Sequence, residues 1–581
     1  MKGIKEKKIR QEEKMKKNRN RIKIAMSTLV GILVLVLLAS CSTPASTPST
    51  PPSTTESTAK PVKEKIVRVV QSWPLYIDPA VGYDNVAEIC VQNLYDTLVT
   101  LGDDGTIQPA AAKSWEFDEP SLTYTFKLRN DIKFHNGDIL TADDVVFSLK
   151  RFIDIGEGWA YLFKDIVKDS RAIDKETVAI TLNRPSGPFL SFLVHLSILN
   201  RKQVLEHIQK DGPYGEYGDY GKAWLLLNDA GSGPYKVKEV QLESHIIAEK
   251  FDQYWKPFDK DAPDEFRIDG TTEPVTVRTL MARKELEITD EWQPAENYEA
   301  MAKLPGVKIA NIDAGSICFL LFNTSKPPLD DVHVRRALTY AFDYETAIKT
   351  IFPGGKVPNG PVAPSVPGAD SSLPPLKQDL EKAKEELAQS KYFGKLDQFP
   401  IEFWWIAEVP DEEKLALLLQ SSAKDLGIVI NVVKAPWTNL VQASAKPETT
   451  PHICIVIMTS IAFPEAGAKL KENYYSTSRG SYNNTHWFDD TTQKEIDRMI
   501  DDALSTIDSA ERFKKYAEIE KKIIDLAPDI WAAIVPQKHA YQADYLIWPT
   551  AQKAEAGEKV NLLPGLRMKF MDMRLIEKNM P

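Results

Sequence analysis

Between residues 94 and 151, Tyr124, Phe126 and Leu128 interleave with Thr123, Thr125 and Lys127. A period of two puts one set of side chains on a buried face, so the pattern predicts a half-buried strand. Asn136-Gly137 supplies a turn signal, after which the spacing becomes helical. Val145, Leu149 and Phe152 fall at i, i+4 and i+7, and Thr141 with Asp144 three positions later resembles a capping box with Asp in place of Glu.

The C-terminal half carries a second pattern. Residues 400–406 (PIEFWWI) predict a strand, 411–426 a helix with Leu415, Leu418, Leu419 and Leu426 on one side, and 428–433 another strand. Gly427 stands where a helix C′ glycine belongs. Strand, helix and strand with short joints predict a parallel crossover unit. Residues 452–458 add an apolar strand, two amphipathic helices follow over 492–504 and 510–526, and 531–535 is expected to lead the chain back into the first lobe. Earlier, 65–70 predicts the first core strand and 177–182 a further one.

The first 40 residues are of another kind. A basic region ends at Lys23, an apolar run of 16 residues spans 24–39, and Leu38-Ala39-Ser40-Cys41 resembles a bacterial lipobox. That resemblance implies a signal peptide over 1–40, cut before an acylated Cys41, rather than a spanning helix, which needs ~20 apolar residues. Over residues 42–59, 15 of 18 are Ser, Thr or Pro, so 41–63 is expected to be an extended tether.

Charge and cysteine narrow the function. The chain has 581 residues and a net charge of −10, of which residues 1–40 contribute +8, so the remainder carries −18. An acidic body without a basic run argues against nucleic acid as a partner. Cysteines stand at 41, 90, 318 and 454 with no C-x-x-C pair. With Cys41 acylated, at most one disulfide can form, and Cys318 and Cys454 read as buried free thiols. No nucleophile elbow, phosphate loop, dinucleotide fingerprint or H-E-x-x-H motif occurs, and neither a cofactor nor a metal is expected. Asp143 and Asp144 read as helix capping rather than acid and base. His486 with Asp489 and Asp490 reads as a solvated turn.

The segment from Tyr124 through Phe134, Asn136-Gly137 and Thr141-Ala142-Asp143-Asp144-Val145 to Arg151 resembles the signature of family 5 extracellular solute-binding proteins, the oligopeptide, dipeptide and nickel type receptors of ABC importers. Gly231-Ser232-Gly233-Pro234-Tyr235, Tyr254-Trp255, and the stretch LDDVHVRRAL from Leu329 to Leu338 with Ala341-Phe342-Asp343 continue it in the family's order. The resemblance implies a two-lobed α/β fold like that of periplasmic binding proteins, class II of the large type, with an additional small lobe. The expected division is 64–83, 224–314 and 530–581 in domain I, 84–223 in the small lobe and 315–529 in domain II. It implies a monomer that takes a solute into the cleft and hands it to a permease, held to the bilayer through Cys41. A lipid-anchored hydrolase or a surface sensor on the same scaffold is the alternative.

Aromatics in or beside loops at strand ends are the candidate ligand contacts: Trp73, Tyr76, Trp404, Trp405, Trp437, Phe463, Tyr482 and Trp487. Successive strand residues face opposite ways, so only one of Trp404 and Trp405 is expected to reach the cleft. Trp115, Trp159 and Trp255 are assigned to packing. The resemblance also implies an aspartate after the 452–458 strand, pairing with a peptide's α-amino group. Here residues 459–465 read TSIAFPE, with Ile461 near that position. An aliphatic side chain cannot compensate a buried ammonium, so an oligosaccharide gains over a free-amine oligopeptide unless Glu465 substitutes.

Overall fold

The computed structural model describes residues 64–71, 76–82, 84–407, 409, 411–458 and 461–580. The leader, Cys41, the tether and Trp73 lie outside the described residues. By contacts, Lys63–Pro581 forms one unit, and three sheets organise it.

In the first lobe, Ile66–Val70 pairs in parallel with Glu265–Asp269, followed by His245–Lys250 and Tyr235–Gln241 in antiparallel register. Ile288 bridges Val69 on one side and Tyr541 on the other, which extends the sheet to Gln537–Gln542 and Val307–Ile312. Val67, Val69 and Val70 are fully buried, as a central apolar strand requires.

The small lobe is an antiparallel sheet in the order Ala112–Asp118, Thr123–Leu128, Thr177–Leu182, Val167–Asp174. Tyr124, Phe126 and Leu128 are buried as the alternation predicts. The helix Ala142–Ile155 packs on it, opened by the capping box, with Thr141 N donating to Asp144 Oδ2 at 2.9 Å, and closed by Gly156 in the left-handed region. Inside that helix, Arg151 is fully buried and grips Asp78 with both terminal guanidinium nitrogens, at 2.7 and 2.6 Å, while its Nε donates to Tyr220 O. A bidentate pair of this kind fixes the small-lobe helix against the loop after the first strand.

Helix Asn85–Leu94 falls in the range expected for the small lobe, yet Asn93 ties it to the first lobe's C-terminal segment: its Nδ2 donates to Met568 O and its Oδ1 accepts from Phe570 N, both at 3.0 Å. The glycines of the Gly231–Gly233 motif press on the end of this helix. A Cβ on Gly231 would stand 2.0 Å from Leu94 O, so only glycine allows the approach.

The second lobe holds the predicted crossover. Its sheet runs Ile430–Ala435, Ile401–Ile406, Ile453–Met458, Ile317–Phe322, Asp529–Ile534, with the first three strands parallel. Helix Asp411–Lys424 joins the first two, and Gly427 adopts φ 74° as a C′ residue does. Residues 531–535 do not lead back into the first lobe as expected: Asp529–Ile534 is the edge strand of this sheet, antiparallel to Ile317–Phe322. All six of its residues are buried, so the run lacks the alternation that would betray its position. The return crossing falls between Ile534 and Gln537, a few residues beyond the expected boundary at 530. Cys90, Cys318 and Cys454 are buried free thiols, and burial pushes the Cys454 thiol up to about 12.

Candidate functional site

Strands Ile401–Ile406, Ile430–Ala435 and Ile453–Met458 are parallel, so their C-terminal ends share one edge of the second-lobe sheet. Ile317–Phe322 and Asp529–Ile534 are antiparallel to their neighbours in a way that puts the start of one and the end of the other on that same edge, where the chain crosses between lobes. In the first lobe, Ile66–Val70 and the chain at Ile288 are likewise parallel, Val69 bridging Ile288. Crevices at such strand ends are where α/β proteins take ligands.

The sheet divides its side chains between two surroundings. Phe403, Trp405, Cys318, Leu320 and Ile455 pack with the helices covering the far face, whereas Trp404, Ile406, Phe319, Leu321 and Cys454 belong to the core shared with the first and small lobes. Only Trp404 therefore faces the interlobe side. Its indole Nε1 is enclosed with no acceptor among the described residues. Trp405 is 5% exposed, with the Lys434 ammonium 5.0 Å from its ring centre, and is removed from the ligand-contact set because its strand position points it into the far core.

The other candidates fall into three groups. Trp437 and Tyr482 meet edge to face with centroids 4.8 Å apart, and Tyr482 is 37% exposed. Trp437 is presented there because Pro436, which has no N–H to donate, separates strand Ile430–Ala435 from helix Trp437–Ala443. Tyr76 is exposed in the first-lobe loop. Phe463 is buried edge-on against Phe192 of the small lobe, and Trp487 is engaged within the second lobe, its Nε1 donating to Thr450 Oγ1 and Arg479 lying over its ring.

Two carboxylates settle what the 461–465 segment can do. Glu465 is buried and accepts from Arg512 Nε and Nη2 at 2.9 and 2.7 Å and from Tyr516 OH at 3.1 Å, so its charge is already compensated. Ile461 and Ala462 are buried beside it. The Ala462 carbonyl accepts from His195 Nε2 at 2.7 Å, and Glu88 Oε1 stands 3.9 Å from the other ring nitrogen. Burial lowers His195 to about 4 and raises Glu88 to about 8 despite the field of Arg567, so both are uncharged at neutral pH. Glu88, His195 and Ala462 thus form a neutral chain from the first-lobe helix to the second-lobe loop.

Around the chain stand Trp159, whose ring lies 4.7 Å from that of His195, and Tyr161. Tyr161 is 52% exposed, yet its phenol is pushed well above its ordinary range, chiefly by the surrounding protein. It lines a cavity together with Leu162, Phe192 and Phe463.

The expectation of a solvated turn at His486 is corrected. The ring is fully buried, Nε2 meets Asp529 Oδ1 at 2.6 Å, and Tyr474 and Phe488 stack on it. Asp489 instead caps helix Asp490–Ser505. Among the described residues no group of three His, Cys, Asp or Glu side chains could hold a metal.

The sequence model described as "bacterial extracellular solute-binding proteins, family 5 Middle" matches residues 106–481, well over half of the chain. The chain belongs to this family. The family 5 relatives include the probable D,D-dipeptide-binding periplasmic protein DdpA of Escherichia coli, 28% identical over 79% of this chain and 86% of its own length. The dipeptide-binding protein DppE of Bacillus subtilis is 26% identical over 83% of this chain and 89% of its own. In fold, the ABC transporter substrate-binding protein CtaP of Listeria monocytogenes superposes with a TM-score of 0.74 at 22% identity, over 88% of this chain and all of that one.

Within this family 5 protein the motifs prove architectural. Ser232 Oγ, Tyr254 OH and Trp255 Nε1 all donate to the buried Asp96 carboxylate, at 2.9, 3.1 and 3.2 Å. They build a buried joint around Asp96. Glu88 and His195 escaped sequence reading because each sits in an apolar stretch that reads as core.

Proposed function

We propose that this chain is the solute receptor of an ABC importer and that it closes its first and second lobes on a short peptide or peptide-like solute. Family membership supports the transport role, and the crossing segments at 313–316 and 535–536 supply the hinge such closure needs. The dipeptide-binding names of the two relatives favour peptides.

The observation that carries the finer reading is Glu465 held by Arg512 beside a buried Ile461. A carboxylate already bound by a guanidinium does not serve a ligand ammonium, so the solute's amino group is not held in this loop. Trp404, Trp437 and Tyr482 supply apolar surface, and the unanswered Trp404 Nε1 offers a donor to a solute carbonyl. Acylation of Cys41 and the Ser/Thr/Pro tether would keep the receptor at the membrane beside its permease.

A melting-temperature screen against matched peptide and oligosaccharide panels tests the reading. A ligand at 100 times its Kd adds ~2.7 kcal/mol. Stabilisation by peptides supports it. Stabilisation by oligosaccharides alone would shift the assignment to sugars stacking on Trp437 and Tyr482. Retention of the intact cell's protein at the membrane, lost in Cys41→Ala, tests the anchor.

A further inference from the structure

A cavity of about 260 Å³ lies between the small and second lobes, and the role assigned above to the interlobe cleft does not use it. Its apolar wall comes from Leu162, Ile166 and Phe192 on one side and Phe463 and Leu504 on the other. Four charged side chains line it: Asp165, Arg184, Lys471 and Glu472.

These charges do not neutralise one another. Glu472 is taken by Lys469 at 3.6 Å. Among the described residues, neither Lys471, Arg184 nor Asp165 is in an ion pair within 4.0 Å, and the Lys471 ammonium lies 5.8 Å from the centre of the Tyr475 ring. Lys471 is half-buried on helix Ala466–Tyr474, while Arg184 and Asp165 are exposed. Burial and then the Arg184 charge hold the Lys471 ammonium below its ordinary range, which places the two cations in each other's field. Asp501, which accepts from Tyr475 OH at 2.9 Å, and to a smaller degree Asp165 offset part of that field from outside ion-pair distance. Two cations that line one cavity beside an aromatic wall gain from an anion placed between them.

We propose that this cavity is a second ligand site, for a small organic acid that sets its carboxylate between Lys471 and Arg184 and its apolar body against Phe192 and Phe463. The size suits such a ligand: a dry cavity of about 150 Å³ is enough for benzene, so this one holds an aryl group with a short acidic chain. The walls belong to different lobes, so an occupant ties the small lobe to helix Ala466–Tyr474.

Calorimetric titration of the intact chain in detergent micelles with 3-phenylpropionate, its amide and 3-phenylpropylamine tests the site. The acid is expected to bind about tenfold or more tighter than the amide and the amine, the advantage of one charge-assisted contact. Arg184→Gln and Lys471→Gln should each reduce that advantage to about threefold or less, while Lys553→Gln, a first-lobe lysine paired with Asp103, leaves it unchanged. Arg184 is exposed, so its variant keeps the fold, and a melting curve verifies this for both. The proposal is overturned if the acid does not bind at millimolar concentration, if acid and amide bind alike, if the amine binds best, or if both variants keep the preference. None of these outcomes bears on the peptide screen, which reads the other cleft.

Discussion

Trp404 and Trp405 are neighbours of the same type on one strand, yet one belongs to the interlobe core and the other to the helix-covered core. Glu465 and Glu88 repeat the contrast in charge. Both are buried, but Glu465 is gripped by Arg512, whereas among the described residues no lysine or arginine nitrogen lies within 4.0 Å of Glu88. Residue type therefore does not mark the cleft in this molecule. What separates the members of each pair is which neighbours the fold gives them.

The largest effects should come from the sealed members. Trp405→Ala removes a ring packed among Phe403, Leu415 and Leu419 and should cost ~3–5 kcal/mol in urea denaturation. Arg512→Met strands the Glu465 carboxylate and should cost a similar ~3–5 kcal/mol. The double variant with Glu465→Gln should recover much of that loss, and no recovery would show that the pair is not the source.

Glu88 gives a pH-dependent effect of intermediate size. Its carboxyl titrates near 8 in the fold against 4.5 for an ordinary glutamate, so the native state holds the extra proton between these values. Its stabilising contribution is complete below pH ~4.5 and falls as pH rises toward about 8. His195, lowered from 6.5 to about 4, acts oppositely: its contribution is present above 6.5 and is lost as pH falls toward 4. The two slopes oppose each other between about 4.5 and 6.5, which leaves a net loss of stability from 6.5 to 8. Glu88→Gln should remove that loss and stabilise the protein at pH 8 by on the order of 2–4 kcal/mol, with the gain vanishing near pH 4.5. A pH-independent gain would point to packing instead.

The smallest stability effects belong to the proposed solute contacts. Trp404→Ala should cost only ~1–2 kcal/mol, since the ring is half-buried, while weakening solute binding about tenfold or more. Tyr482→Ala should change stability by ~0.5 kcal/mol or less and still weaken binding. If Trp405→Ala lowered affinity as selectively as Trp404→Ala, the division between the two faces would be wrong.

Much of this architecture is written locally. The strand at Ile401–Ile406, the helix beginning at Asp411, the left-handed Gly427 and the box at Thr141 and Asp144 each depend on side chains a few residues apart, and sequence periodicity registers such spacing. The arrangement that decides function is not local. Arg512 reaches Glu465 across 47 residues, and His195 reaches the Ala462 carbonyl across 267. The place of the edge strand Asp529–Ile534 is not legible in the sequence because a run buried on both faces carries no periodicity to say which sheet it joins. Alternation along the strand did announce that Trp404 and Trp405 would part company. It could not say which of them would meet the first lobe, because that depends on which face the helices cover.

The central claim is that this family 5 receptor binds a peptide-like solute without pairing its α-amino group at residues 461–465. The most direct measurement compares the melting-temperature shifts given by peptides with free and with acetylated N-termini, at equal concentration. The account predicts that a peptide which raises the melting temperature does so equally well once acetylated. A shift abolished by acetylation, or the absence of a shift with any peptide, would contradict it.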